Sequence, residues 1–277
     1  MKKILVIAAA LLSAVSCSNW GDSPEPISVK IVDKLILADN TEIAITYGSN
    51  GYVSDIVYSN GKSISMKYDF SDSRNFTILV DDGAKEQVLT INNGFITKVS
   101  ENNETVASFD YEYYGNMTRI TNYADNSRST LSWQGGYVYL PISQSTTWYE
   151  DEDMTEKLSF KNLSYSWNTN TAQINVYSSM NFMPLVVPEY VECSAVDPII
   201  FAVLGALRTY YLPSAVIISV AKDDDTQIDG NSETKSFVYD NDGIGYLQAA
   251  YSVATNGERK KLFDVVYKSE ASAPASL

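Results

Sequence analysis

Histidine is missing from all 277 residues. That absence removes Ser-His and Cys-His nucleophile systems and the commonest zinc sites. Cysteine occurs only twice, at Cys17 and Cys193, so the chain is not a disulfide scaffold. Basic residues are scarce: 20 Lys and Arg stand against 34 Asp and Glu, a net charge of −14. A chain this acidic repels phosphate backbones and anionic headgroups, which excludes nucleic acid as a partner. Low apolar content is also absent. A hydrophobic fraction of 45% with 12% aromatics excludes a disordered chain, and 20 tyrosines against nine phenylalanines fit sheets whose rings keep one polar edge wet.

The first residues, "MKKILVIAAALLSAVSCSNWGD", read as a secretion signal over 1–16. Lys2 and Lys3 form the positive end, Ile4 to Leu12 the apolar core, and small residues follow. That core is shorter than the roughly 20 residues needed to span a bilayer. "SAVSC" resembles the bacterial lipobox, in which cleavage before a cysteine precedes its acylation; Cys17 occupies that position, and Ala14 departs from the usual leucine. The expectation is a lipid on Cys17, a polar tether over 17–28, one domain over 29–268 and a polar tail over 269–277. Cleavage removes two lysines and leaves 18 basic against 34 acidic residues, a net charge of −16. Ser18 follows the cysteine where some inner-membrane lipoproteins carry aspartate, so outer-membrane sorting is expected, on either the periplasmic or the cell-surface face. Asp22 and Glu25 hint at surface export.

From Thr41 onward the hydrophobic period is two. Ile43, Ile45 and Tyr47 alternate with polar residues, as do Ile64, Met66, Tyr68 and Phe70, then Ala107, Phe109, Tyr111 and Tyr113. Leu163, Tyr165 and Trp167, and Ala172, Ile174 and Val176, follow the same rule. Asn50-Gly51, Asn60-Gly61, Asn93-Gly94, Gly115-Asn116, Gly135-Gly136, Asp242-Gly243 and Asn256-Gly257 supply turn chemistry between the runs. Links this short join antiparallel neighbours, because a parallel crossover needs a dozen residues or more. "ITYGSNGYVSDIVYSNGK", "YEYYGNMTRITNYADNSR" and "FVYDNDGIGYLQAAYSVATNGER" share a layout of aromatic, turn glycine, hydrophobic pair and polar hairpin. The fold class is therefore all-β: an antiparallel up-and-down meander forming a partly closed barrel or strongly curved sheet.

One segment breaks the alternation. "SSMNFMPLVVPEYVECSAVDPIIFAVLGALRTYYLPSA" (178–215) is dense in Met, Pro and unbroken apolar residues. Asp197-Pro198 is a helix start, an acidic cap followed by proline at the first helical position. One short helix over about 198–210 follows, with apolar residues on every side, so it is expected to be buried against the concave side of the sheet. A transmembrane barrel would share the alternating strands. The visible runs of about seven residues are shorter than the 9–11 required to cross, and a water-surrounded barrel fits better.

The candidate sites follow from residue chemistry. Cys193 sits between Glu192 and Ser194 without a neighbouring cation to activate it and reads as a buried thiol. No catalytic residue is assigned; a carboxylate pair for glycoside hydrolysis is the remaining enzymatic option. No cofactor is expected, and no metal beyond a weak calcium candidate at Asp223, Asp225 and Asp229, with Asp224, in "KDDDTQIDGN". Neither that loop nor "YEDEDM" has EF-hand spacing, and a solvated hairpin loop accounts for each. Trp133 and Trp167 fall on the alternating apolar face, whereas Trp148, between "QSTT" and "YEDED", is the aromatic expected at the surface and the candidate for stacking on a glycan. Met180, Phe182 and Met183, with Leu185 and Val187, are candidates for a flexible lid over an apolar ligand; the alternative is that they fill the interior themselves.

With these elements in view, the chain resembles the lipoproteins of Gram-negative gut commensals grouped as a domain of unknown function with a porin-like fold. The resemblance spans roughly Ser28 to Tyr267 and is most specific in "DPIIFAVLGALRTYYLPSAV", with its Leu212-Pro213, and in "YDNDGIGY". It implies an antiparallel, partly closed barrel in the cell envelope and brings no catalytic residues. The expected function is a membrane-anchored, non-catalytic binding or scaffold module. A glycan-binding surface lipoprotein and a carrier holding an apolar ligand between helix and sheet are the alternatives. The expected partners are the membrane, through the N-terminal lipid, and a glycan or another envelope protein.

Overall fold

Alternation at period two gives each strand one apolar face, and those faces meet by curling the sheet until its first and last strands pair. The computed structural model describes residues 30–112, 115–134, 140–167, 178–204, 209, 211–222, 232–242 and 245–268. Cys17, the signal and tether, the tail, Arg208, the strand expected at Ala172 to Val176, Gly135-Gly136, and Asp223, Asp224, Asp225 and Asp229 lie outside these residues.

The strands run in chain order as β1 (Val32–Leu37), β2 (Glu42–Tyr47), β3 (Val53–Tyr58) and β4 (Ser63–Phe70). Next come β5 (Phe76–Asp81), β6 (Glu86–Asn92), β7 (Phe95–Glu101) and β8 (Glu104–Tyr111). The far half holds β9 (Met117–Asn122), β10 (Ser127–Trp133), β11 (Pro141–Tyr149) and β12 (Lys157–Ser166). The last four are β13 (Ala215–Lys222), β14 (Ser232–Asn241), β15 (Leu247–Val253) and β16 (Arg259–Tyr267). Each pairs antiparallel with its sequence neighbours, and β1 pairs with β16, Leu35 opposite Val265, so the sheet is a closed barrel. The sequence favoured partial closure; full closure leaves no unpaired sheet edge for another chain to extend.

The inner face is the core. Leu35, Ile56, Ile64, Leu89, Val99 and Leu163 are each at most 1% exposed. Burying a side chain of this kind contributes about 1.5–3 kcal/mol. The outer face carries Glu42 and Thr46 on β2, Lys67 and Asp69 on β4, Glu86 on β6 and Asp110 on β8. Turn chemistry falls where expected: Asn93 (φ 53°) and Gly94 (φ 84°) form a two-residue link with both residues left-handed.

The barrel has two unlike ends. Odd strands start, and even strands finish, at one of them. There Tyr47 donates to the Val32 carbonyl (3.0 Å), Tyr111 to Ile96 (2.9 Å) and Trp133 Nε1 to Met117 (2.7 Å). Trp167 Nε1 donates to Pro141 (3.0 Å), Tyr239 to Pro213 (2.6 Å) and Tyr267 to Leu247 (2.9 Å). In each pair an aromatic at the end of an even strand ties down the first carbonyls of the odd strand before it. The shared layout of aromatic and turn glycine in the sequence is this device. Tyr52, Tyr68, Phe70 and Phe76 pack at the same end, with ring centroids 4.9–6.3 Å apart.

Between β12 and β13 the described residues from Ser178 onward form a plug that runs down the interior and back. It begins at the aromatic end, where Ser178 bridges Lys30 and the Ser179 hydroxyl accepts from the Val32 amide (3.0 Å). It contains α1 (Met183–Val186), a 3-10 turn (Pro188–Val191) and α2 (Pro198–Val203). The helix expected over 198–210 is thus shorter in the described residues, and a second short helix precedes it. Asp197 caps α2 as expected, its carboxylate accepting from the Ile199 amide (3.0 Å), and Ile199 through Val203 are all buried. The two arms run side by side, Asn181 N to Ala202 O being 2.8 Å. Three plug aromatics meet three wall aromatics: Phe182 with Phe263, Tyr190 with Tyr165 and Phe201 with Phe109.

Candidate functional site

The plug turns round at the second end of the barrel, and its tip (189–198) is acidic. Glu189, Glu192 and Asp197 are carboxylates on an interior segment, so the wall must supply counter-charge or leave them stranded. Three lysines do so and a fourth holds the plug backbone, the four coming from four hairpins. Lys62, in the β3–β4 turn, reaches Asp197 (2.6 Å) and Lys161, on β12, reaches Glu192 (2.5 Å). Lys235, on β14, reaches Glu189 (2.6 Å), and Lys85, beside β6, donates to the Ala195 carbonyl (2.5 Å). Amides complete the seam: Gln87 Nε2 donates to the Ala195 carbonyl (2.7 Å), Gln144 Nε2 to the Glu189 carbonyl (3.0 Å) and Asn122 Nδ2 to Ser194 Oγ (3.0 Å).

The two glutamates are held differently. Burial pulls Glu189 upward, but the hydrogen bond from Lys235, with help from Lys161, leaves its carboxyl below the usual range. Burial dominates at Glu192, where repulsion from Glu189 and Asp125 adds to it, and the carboxyl stays above the usual range despite Lys161. Oε2 of each glutamate and Oδ1 of Asn122 are buried acceptors without a hydrogen-bond donor.

Beside the tip lies an open cleft of about 510 Å³. Its wall side is Asp82 and Lys85 from the β5–β6 turn, Asp125 from the β9–β10 turn and Trp148 from β11. Its floor is plug: Pro188, Val191, Glu192, Cys193 and Ser194, then Val196 to Pro198. Trp148 points inward near the end of β11, half-buried, with the Lys161 ammonium 5.2 Å from its ring centroid. Cys193 is 5% exposed, and burial pushes its thiol up to about 11, so it is protonated and unreactive near neutral pH.

The structure thus brings Trp148 to a cleft. It places Met180, Phe182 and Met183 apart from that cleft, each at most 1% exposed within the core. Trp133 and Trp167 are half-buried against the core at the aromatic end. In "YEDEDM", Asp151 accepts from the Thr155 and Glu156 amides and the Thr155 hydroxyl, which closes the β11–β12 turn. Among the described residues no three acidic or thiol side chains gather to hold a metal. Sequence reasoning missed Asp82, Lys85, Asp125 and the lysine clamp. They come from separate hairpins, and no local pattern marks a partner 135 residues away, as Asp197 is from Lys62.

No family model and no curated protein matches this chain. Its fold is similar to a porin-like protein from Bacteroides vulgatus ATCC 8482, at 12% identity and a TM-score of 0.57, covering 86% of this chain and 99% of that one. It is similar also to a porin-like protein from Bacteroides uniformis ATCC 8492, at 14% identity and a TM-score of 0.52, covering 87% and 99%. At these identities the likeness is one of architecture, and the chain has a porin-like barrel fold.

Proposed function

We propose that this protein is a lipid-anchored, non-catalytic binding module of the cell envelope, a barrel that stands in water and presents its cleft away from the membrane. The observation that carries the reading is the inverted polarity of the wall. A membrane-spanning barrel turns an apolar band outward and a polar lining inward. Here Ile43, Ile45, Ile64, Met66, Leu89 and Ile91 point inward and are buried, while Glu42, Lys67, Asp69, Glu86 and Asp110 face out. A wall of that kind leaves membrane association to the lipid on Cys17. The chain enters β1 at the aromatic end and leaves β16 there, so a tether from Cys17 holds that end toward the bilayer. The plug tip and its cleft then face outward. The carrier reading has less support, because the chain's own side chains occupy the space an apolar ligand would need. The non-catalytic reading rests on the missing histidine and on the protonated thiol of Cys193.

The test is fractionation of cells expressing wild type and Cys17→Ala, with labelled palmitate as the tracer. The expected outcome is a labelled, membrane-bound wild type and an unlabelled, soluble, folded variant. A variant that has lost residues 1–16 yet stays in the membrane and resists carbonate extraction would show that the barrel itself inserts, and would end the proposal.

A further inference from the structure

We infer that the cleft at the plug tip is a carbohydrate site, with Trp148 as its apolar platform and Asp125, Asp82 and Glu192 as its hydrogen-bond acceptors. The inference rests on the binding-module reading above and names its ligand class. Four observations lead to it. The first is an imbalance of hydrogen-bonding groups around the tip. Glu189 Oε2, Glu192 Oε2 and Asn122 Oδ1 are buried acceptors without donors, and Asn122, fully buried, is joined through its other amide atom to Ser194 of the cleft. Glu192 is the one of these three that lines the cleft, so the acceptor-rich seam meets the ligand space there. Second, the lysines that could have served are committed to the plug: Lys85 to the Ala195 carbonyl, Lys161 to Glu192 and Lys62 to Asp197. An anion would therefore meet Asp82, Asp125 and Glu192 with no free cation among the described lining residues.

Third, the acceptors do not converge. No three acidic or thiol groups among the described residues could share one metal ion, so a point cation such as calcium does not match their spread. A ligand whose donors are also spread does. Fourth, the cleft sets Trp148, Pro188 and Val191 beside these acceptors. A sugar ring has that dual character, a C–H face for an aromatic and hydroxyls around its edge. The volume of about 510 Å³ lies within the roughly 300–1,000 Å³ of small-molecule sites. The same cleft, with its carboxylates, is a poor host for a wholly apolar ligand.

The experiment is calorimetric titration of the mature lipidated protein in detergent micelles. The probes are neutral oligosaccharides of glucose, mannose, galactose and N-acetylglucosamine, and calcium chloride alone. At least one oligosaccharide should bind and perturb tryptophan fluorescence, with affinity weakened at least tenfold in Trp148→Ala. Trp148→Phe and Asp125→Asn, gentler changes in case the alanine variant melts early, should each weaken it at least threefold. Phe70→Ala, at the opposite end of the barrel, should bind as wild type does. A folded wild type that takes up none of the sugars, or binding unaltered in the folded Trp148 and Asp125 variants, overturns the assignment. Uptake of calcium alone overturns it in favour of a cation site. Each of these results leaves the Cys17 fractionation result standing, so the anchor and the ligand fail separately.

Discussion

Replacing Lys161 by Met tests whether the plug is held by charge as well as by packing. Lys161 and Glu192 are 14% and 20% exposed, with nitrogen and oxygen 2.5 Å apart. Glu192 Oε2 already lacks a donor, so the substitution strips the carboxylate of its one cation at contact distance. Breaking a fully buried pair costs about 3–5 kcal/mol, whereas an exposed pair contributes about 0–1 kcal/mol. A pair at this depth falls between, at about 2 kcal/mol. For a barrel of this size that lowers Tm by about 4–8 °C. The sign with pH is set by Glu192, whose folded-state carboxyl is raised above its unfolded value, chiefly by burial. Such a group destabilises the fold once ionised, so stability falls as pH rises from the unfolded value through the folded one. Without Lys161 the carboxyl rises further, and the variant should recover part of its deficit between about pH 7.5 and pH 5. Adding Glu192→Gln to Lys161→Met removes the stranded charge and should restore most of the lost Tm. Thermal melts of wild type, Lys161→Met and the double variant at the two pH values decide the matter. If the double variant melts no higher than Lys161→Met, the charge argument fails and the plug is held by packing alone.

Phe201→Ala, at a fully buried position of the plug helix against Phe109, should cost about 3–5 kcal/mol in denaturant unfolding. Gly115→Ala should destabilise by at least about 1 kcal/mol, from a left-handed φ of 87° and a new Cβ 2.7 Å from the Phe95 ring; melts of the variant beside wild type measure it. Tyr47→Phe removes the hydroxyl that binds the Val32 carbonyl (3.0 Å) and should lower stability by about 0.5–1.5 kcal/mol, with faster amide exchange at the start of β1. Cys193 should resist maleimide in the native protein at neutral pH, its thiol being buried and raised to about 11. Unfolding should then expose one reactive thiol if Cys17 is acylated and two if it is free.

The strands were legible because each is half-buried. Ile43 and Ile45, Ile64 and Met66, and Ala107 and Phe109 reach the core as the alternation predicts. Asp197-Pro198 was legible because a cap is a local contact. Closure was not, since alternation says which face a residue takes but nothing about whether β1 will meet β16, more than two hundred residues away. The inward turn of Trp148 was obscured by its polar neighbours. On the wall facing the plug tip the interior itself is polar, with Ser127, Ser129, Gln144 and Thr146 all buried. An aromatic among serines and threonines looks exposed when the serines and threonines are assumed to face water. The hydroxyls of Ser129 and Thr146, 2.8 Å apart, satisfy each other inside the barrel.

The break in alternation after β12 has a physical origin in the size of the barrel. About eight strands enclose a space that side chains alone can fill, while sixteen to eighteen leave a channel. Sixteen strands lined with Ile, Leu, Val and Met would therefore surround an apolar void open to water, a state costly in lost contacts and in exposed surface. The wall could have been lined with polar groups, which is the solution of a conducting barrel. This chain instead supplies the missing interior from one insertion, apolar along its arms and acidic only where it turns at the open end. Met180, Phe182, Tyr190 and Phe201 fill the centre, and Glu189, Glu192 and Asp197 meet lysines at the rim. From Ser178 the insertion gives up the strand pattern, and its charged turn brings interior polar groups to water at the cleft. A porin-like barrel fold thereby has an interior that, among the described residues, is filled by the chain's own side chains.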